Sequence, residues 1–430
     1  MLWKDETGEW NILNLVSFVI LFIIGVVVVG GIYLRIKYRF FYTVRDMYII
    51  YQWHRLLWAP YKPINSYKKL EYLSKYRYRS DVVLYEYSEL KEDEQDKLLN
   101  TLSLYMKDHF IRKRHKKHYE CMVDSSYFHS ILSCHDKPCY ISYLYDTYKE
   151  VKSLFVLYPI YVYEHKIKSR EMMYYLDYSV THPKHRHQES MVTLVTATGV
   201  KMIDKFVDEE YPERETKSMG FIFKTENTKL PMLPILQHDS LIYDIDTYIR
   251  EYRKIPHNGS FEPLQIVRTS KENIQLFKHA LKYILESKTT SRMFCITPNY
   301  NTLSKWIIEG ILYVYMVMLK DDIYAMFLFK DERFVYKNDK MIECIGTIWF
   351  ENKHDSIDLK GDMYIWCVND LKRINGYRYQ MLHLLGEENH TIRIELEKRL
   401  YFPNYRVTNY YYTVNYIQKP YKARESFILL

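Results

Sequence analysis

"YLDYSVTHPKHRHQES", residues 175–190, begins as a strand of alternating aromatic and polar residues. It then breaks into a basic, histidine-laden turn that contains no glycine. "SMVTLVTATGVKMIDKF", residues 190–206, follows with apolar positions at helical spacing. A strand, a positive turn and a helix form an arrangement that can hold a phosphate, because helix N-terminal N–H groups face the anion. A solvated surface loop has the same composition. The elements on either side have to separate these readings.

Upstream, "SELKEDEQDKLLNTLSLYMKDHF" (88–110) predicts a helix with Ser88 as N-cap and acidic residues in its first turn. "PCYISYLYD" (138–146) and "VKSLFVLYPIYVYEH" (151–165) predict strands rich in β-branched and aromatic residues. Residues 208–262 read as loop-rich. Similar elements then return: a helix over 271–287, strands over 310–320, 323–330 and 342–352, and a helix over 362–375. The order predicts an α/β protein made of one unit used twice.

Ahead of these units lies a different kind of segment. No charged residue occurs from Trp10 to Leu34. "LVSFVILFIIGVVVVGGIYL" (15–34) is long enough to span a bilayer core. The leader is acidic, whereas Arg35, Lys37, Arg39 and Arg45 follow the apolar run, which is not the layout of a cleaved signal peptide. The positive-inside rule then predicts a single-pass anchor with the large domain in the cytosol or on the interior face of a virion membrane. A core helix buried on every face is the competing reading. The expected organisation is a leader at 1–11, a membrane helix at 12–34, a juxtamembrane arm at 35–80, and two halves at 81–255 and 256–430.

Bulk composition narrows the remaining classes. The chain has 430 residues with a net charge of +8, which mildly favours anionic partners. The 45 tyrosines against 12 glycines fit coding from an AT-rich genome such as that of a large DNA virus. Six scattered cysteines do not make a disulfide scaffold. His129, Cys134, His135 and Cys139 cluster, but the cysteines stand five apart and no second pair follows, so no metal is expected. "IRKRHKKH" (111–118) could touch lipid or nucleic acid, yet such runs are usually solvated, and no stacking platform accompanies it.

Taken in order, these segments resemble the N-myristoyltransferase family. "LNTLSLYMKDHF" is similar to the family's L-x-x-L-L-x-x-N-Y-V segment, and "DSSYFHSIL" to S-x-x-F-L-x-W-x-L. "MYYLDYSVTHPKHRHQES" resembles I-N-F-L-C-V-H-K-K-L-R-S-K-R, with His182 and Arg186 on matching positions. "MFCITPNYNTLSKWI", "NGYRYQMLHLL", "IELEKRLYFPNYRVTNYYYTVNY" and the terminal "ESFILL" continue the likeness to residue 430.

The resemblance implies two fused GNAT-like (acetyltransferase-like) halves with mixed sheets. It implies acyl transfer from myristoyl-CoA, as co-substrate, to the N-terminal glycine of a peptide. The turn Lys184, Arg186, His187, Gln188, Glu189, Ser190 would face the coenzyme A phosphates. The backbone N–H groups of Tyr178 and Ser179 would form an oxyanion hole. The Leu430 terminal carboxylate would be the general base, although simple docking of an apolar tail also explains that ending.

Departures accompany the matches. Gln188 and Glu189 stand where the family has a lysine–arginine pair. A like-charge contact near 4 Å costs on the order of 4 kcal/mol at an effective dielectric near 20. Pro403, Asn404, Tyr405 and Arg406 replace a glycine–aspartate–glycine loop, and Gln380 and His383 replace an asparagine and an aspartate. Two functions stay open: a membrane-tethered acyltransferase, or a catalytically silent relative with protein partners in a membrane-linked assembly such as a virus particle.

Overall fold

The computed structural model describes residues 12–37, 62–63, 76, 78–114, 117–165, 169–186, 190–210, 220–227, 230, 234–249, 259–261, 263–286, 294–350, 359–414, 416–417 and 421–430. Helix α1, Ile12–Lys37, is 26 residues long. Its described residues from Val16 to Val29 are exposed, and nearly all of them are apolar. Among the described residues no helix is long and apolar enough to cross a membrane, so the membrane helix expected at 12–34 finds no support there.

The remainder is an α/β fold on one large mixed sheet. Strands β1 (Val82–Glu86), β2 (Tyr140–Tyr145), β3 (Val151–Glu164) and β4 (Ser169–Thr181) pair antiparallel in that order. Strand β5 (Gly220–Glu226) joins β4 in parallel, the two being linked by helix α2 (Ser190–Glu210). The order recurs later in the chain. Strands β7 (Leu264–Arg268), β9 (Leu312–Leu319), β10 (Asp322–Lys330) and β11 (Asp339–Trp349) pair antiparallel. Strand β12 (Tyr379–His383) joins β11 in parallel after helix α3 (Lys360–Asn375).

Two strands stitch these parts together. β6 (Leu236–Asp244) pairs with β12, β13 (Tyr405–Val414) pairs with β5, and β6 and β13 pair with each other. The sheet is therefore continuous rather than two separate sheets. β5 and β6 both lie in the stretch that reads as loop-rich, which corrects that expectation. Their sequences, "GFIFKTE" and "LQHDSLIYD", are short or interrupted by polar residues, and their pairing partners are remote in the chain.

Alternation places the core on both faces. On β10, Met326 and Leu328 join one hydrophobic cluster, whereas Ala325, Phe327 and Phe329 join the other, as a period of two requires. The helix read from Ser88 begins later, at Glu92. The Lys91 N–H donates to Glu94, while Ser88 donates to Glu86 instead. The acidic first turn is retained, where it complements the helix dipole.

Candidate active site at the sheet seam

Each of the recurring strands carries a bulge near the point where it leaves its parallel neighbour. On β4 the register steps from Val156↔Asp177 to Leu154↔Val180, which leaves Tyr178 and Ser179 as the irregular pair. Tyr178 has a φ of 48°, a left-handed conformation uncommon for a bulky residue and typical of functional or strained sites. Parallel pairing with β5 stops at Leu176↔Phe223, so β4 parts from β5 just before its bulge. On β11 the step lies between Cys344 and Gly346, opposite Phe329 and Leu328.

The carboxyl terminus runs between these bulges. Strand β14 (Ser426–Ile428) lies parallel to β8 (Phe294–Thr297), and the Leu429 N–H donates to the Ile296 carbonyl at 2.8 Å. Phe427 packs on Gly346 so closely that a Cβ added there would meet the ring at 2.9 Å. Leu430 is buried and lines a small cavity with Tyr175, Asp177, Lys224, Glu332, Glu343 and His383. The cavity measures about 20 Å³, room for one or two water molecules.

The cavity walls are charged. The Glu343 carboxyl, 2.9 Å from His383 Nε2, is pushed up by burial, yet the charge and hydrogen bond of His383 outweigh this and hold it down to about 2. Burial pushes the Glu332 carboxyl up to about 7 against the opposing pull of Lys330, and Asp177 and Glu343 add to the rise. Lys330 Nζ lies 2.5 Å from Glu332.

Behind His383, Ser240 Oγ meets Nδ1 at 3.0 Å and accepts from Asn409 Nδ2 at 2.7 Å. Ser240 and Glu343 thus bracket the two ring nitrogens of His383. This asparagine–serine–histidine–glutamate line is buried throughout.

The sequence points to His383 and Gln380 together. Gln380 instead donates to the Tyr364 hydroxyl on the far face of β12, because residues three apart on a strand point to opposite sides. Asp177, Lys224, Glu332, Glu343, Ser240 and Asn409 went unmarked. Single charges inside aromatic strands, as in "YLDY" and "MIECIG", were the available signal, since a lone carboxylate on a buried strand needs a partner.

Tyr178 and Ser179 thus sit at the bulge and Leu430 at the cavity. The Tyr178 N–H, however, donates to Asp177 Oδ1 at 2.9 Å. The Tyr178 hydroxyl meets Tyr127 at 3.0 Å and Glu332 at 3.3 Å.

In the turn, Lys184 N–H donates to His182 Nδ1 at 3.2 Å. Arg186 donates to the carbonyls of Thr181 at 3.1 Å and His109 at 2.6 Å, so its guanidinium ties the turn to the end of the preceding helix. Ser190 is buried and donates to the His185 carbonyl at 3.3 Å. His187, Gln188 and Glu189 lie outside the described residues.

Elsewhere, Arg406 pairs with Asp239, and Asn404 N–H donates to the Ile242 carbonyl at 2.7 Å. His129 meets the Tyr87 hydroxyl at 2.7 Å, and burial drives His135 down to about 3. Among the described residues no group of three or more His, Cys, Asp or Glu is placed to hold a metal.

Fold and site define a mixed α/β protein with two bulged strands and a buried carboxyl terminus between them. Solved N-myristoyltransferases share this fold. A crystal structure of the Saccharomyces cerevisiae enzyme with bound myristoyl-CoA has a TM-score of 0.57 at 11% identity, over 80% of this chain and 85% of that one. A second structure of that enzyme with myristoyl-CoA gives 0.56 at 10% identity, over 80% and 81%. A third, with myristoyl-CoA and inhibitors, gives 0.59 at 11% identity, over 84% and 87%. At these identities the likeness is one of fold. No protein-family model and no curated protein matches the sequence.

Proposed function

We propose that this chain is a membrane-anchored, N-myristoyltransferase-like protein whose transferase site has fallen silent and whose fold serves a structural or interaction role in a membrane-linked assembly. The observation that carries the reading is the central cavity. About 20 Å³ remains where an acyl thioester and an amine would have to meet. Asp177, Glu332, Glu343 and the terminal residue Leu430 crowd that space. Proximity catalysis needs both reactants held within about 3–3.5 Å of each other, and here they would have to displace those groups.

The two halves, 81–255 and 256–430, interlock through β6 and β13. In this reading α1 is the bilayer anchor and the domain lies on the cytosolic side or inside a virion membrane. What supports the anchor is a 26-residue helix whose run from residue 15 to 34 carries no charge and whose described apolar side chains are exposed. An active glycylpeptide transferase is the second reading, favoured by the burial of Leu430 beside the β4 bulge.

A thermal-shift titration with myristoyl-CoA separates the two. A ligand at a hundred times its Kd stabilises a native protein by about 2.7 kcal/mol. The silent reading expects no shift. A saturating shift, with turnover of a glycine-starting peptide, would restore the enzyme.

A further inference from the structure

Building on the silent reading, we infer that Asp177 sets the ligand preference of this site: its carboxyl group occupies the anion position at the β4 bulge and excludes a thioester. Three observations converge. The Tyr178 N–H at the bulge is taken by Asp177 Oδ1 at 2.9 Å. The second oxygen accepts from the Tyr158 hydroxyl at 2.9 Å, so the group is anchored at both ends. Tyr158 is fully buried and packs against Tyr175, with ring centroids 5.5 Å apart, which leaves the pair no room to swing aside. Asp177 also faces Glu332, Glu343 and Leu430 around one cavity.

In acyl transfer, the amine nitrogen of a glycine-starting peptide adds to the thioester carbonyl carbon, and the carbonyl oxygen takes up negative charge at an N–H donor. The carbon–sulfur bond then breaks, and its electron pair leaves with the sulfur. The amine proton passes by way of a carboxylate to that sulfur, so the products are an amide and a thiol. Here the oxygen would have to displace a carboxyl group or develop its charge beside one. Two like charges in a water-poor site repel strongly, and an oxyanion donor works only while it is free to point at the developing charge.

The test uses the full-length protein in detergent with myristoyl-CoA and a glycine-starting peptide. Wild type, Asp177→Asn and Asp177→Glu are compared by isothermal titration and by free-thiol release. The asparagine keeps the volume and an oxygen for Tyr158 but removes the charge. The expected result is a saturable titration with myristoyl-CoA where wild type gives none, with thiol release above the peptide-free blank. Asp177→Glu gains nothing.

A merely structural role for Asp177 could weaken the protein but would not create binding. The inference is overturned if Asp177→Asn keeps the wild-type melting temperature and binds no tighter. Should that variant fail to fold, Asp177→Ser is judged by the same criterion. Binding and thiol release by the wild type would instead overturn the silent reading itself, and this inference with it.

Discussion

Two bulged strands face each other across the seam, and they have been treated differently. On β11, a register step at Cys344–Gly346 leaves room that the chain's own terminus fills, with the Phe427 ring on Gly346. On β4, the equivalent step at Tyr178 leaves an N–H donor that the neighbouring Asp177 takes. One gap is closed by apolar packing from a distant part of the chain, the other by a local charge. The difference teaches that a shared backbone irregularity does not determine chemistry. What approaches the bulge does.

The comparison is broken most severely at the packed gap. Phe427→Ala should cost about 3–5 kcal/mol, as large-to-small core changes do, and denaturant unfolding would read it. A change under 1 kcal/mol would mean that the terminal strand does not hold the seam. Gly346→Ala approaches the same contact from the other side, where the added methyl meets the Phe427 ring. Overpacking of this kind costs about 1–3 kcal/mol. The double change Gly346→Ala, Phe427→Ala should be less destabilising than the sum of the two, because the methyl then fills space that the ring vacated.

The charged gap is tested by pH. Glu343 has a depressed carboxyl, held to about 2. Its contribution is therefore present above the ordinary glutamate range and is lost as pH falls from about 4.5 toward 2. Glu332 has the opposite sign. Its carboxyl is raised to about 7, so the folded state holds the extra proton and stability declines as pH rises from about 4.5 through 7. A stability profile that peaks near the crossing of these two limbs is expected from urea midpoints measured between pH 3 and 8. Glu343→Gln should flatten the acid limb and, by stripping His383 of its buried partner, cost about 3–5 kcal/mol at pH 6. A profile unchanged by that substitution would dissociate the pair from stability.

The smallest expected effects lie at the rims of the two regions. Arg186→Gln removes donors from the Thr181 and His109 carbonyls and should cost about 0.5–1.5 kcal/mol. Leu400 has a φ of 61° and is 76% exposed, so it carries left-handed strain with little packing to offset it. Leu400→Gly should raise stability by about 0.5–1 kcal/mol, the strain released less the added chain entropy. Measured destabilisation would mean that the leucine packs in solution against something beyond the described fold.

Much of the fold was legible because β-branched and aromatic runs such as 151–165 and the helical spacing of 271–287 declare themselves locally. β5 and β6 did not. Each is short, and "LQHDSLIYD" places His238, Asp239 and Ser240 inside a strand that becomes central only because β12 and β13 flank it. The candidate site was legible at two places, Tyr178 at the β4 bulge and Leu430 at the cavity, through motif order alone. Its side chains were not, because Asp177, Glu343, His383 and Asn409 lie on four strands far apart in sequence.

The sequence by itself therefore determined an apolar amino-terminal helix, an α/β unit used twice, a basic turn before a helix, and an apolar chain end. Those properties depend on residue type and on neighbours within a few positions. Only the tertiary structure decided that the two units share one sheet and that the terminus plugs one bulge. It also decided that Arg186 spends its hydrogen bonds on backbone carbonyls, and that an aspartate caps the donor at the other bulge. Those outcomes turn on strand register, in which a one-residue step reverses the face of every side chain, and on which charges burial brings within hydrogen-bonding distance.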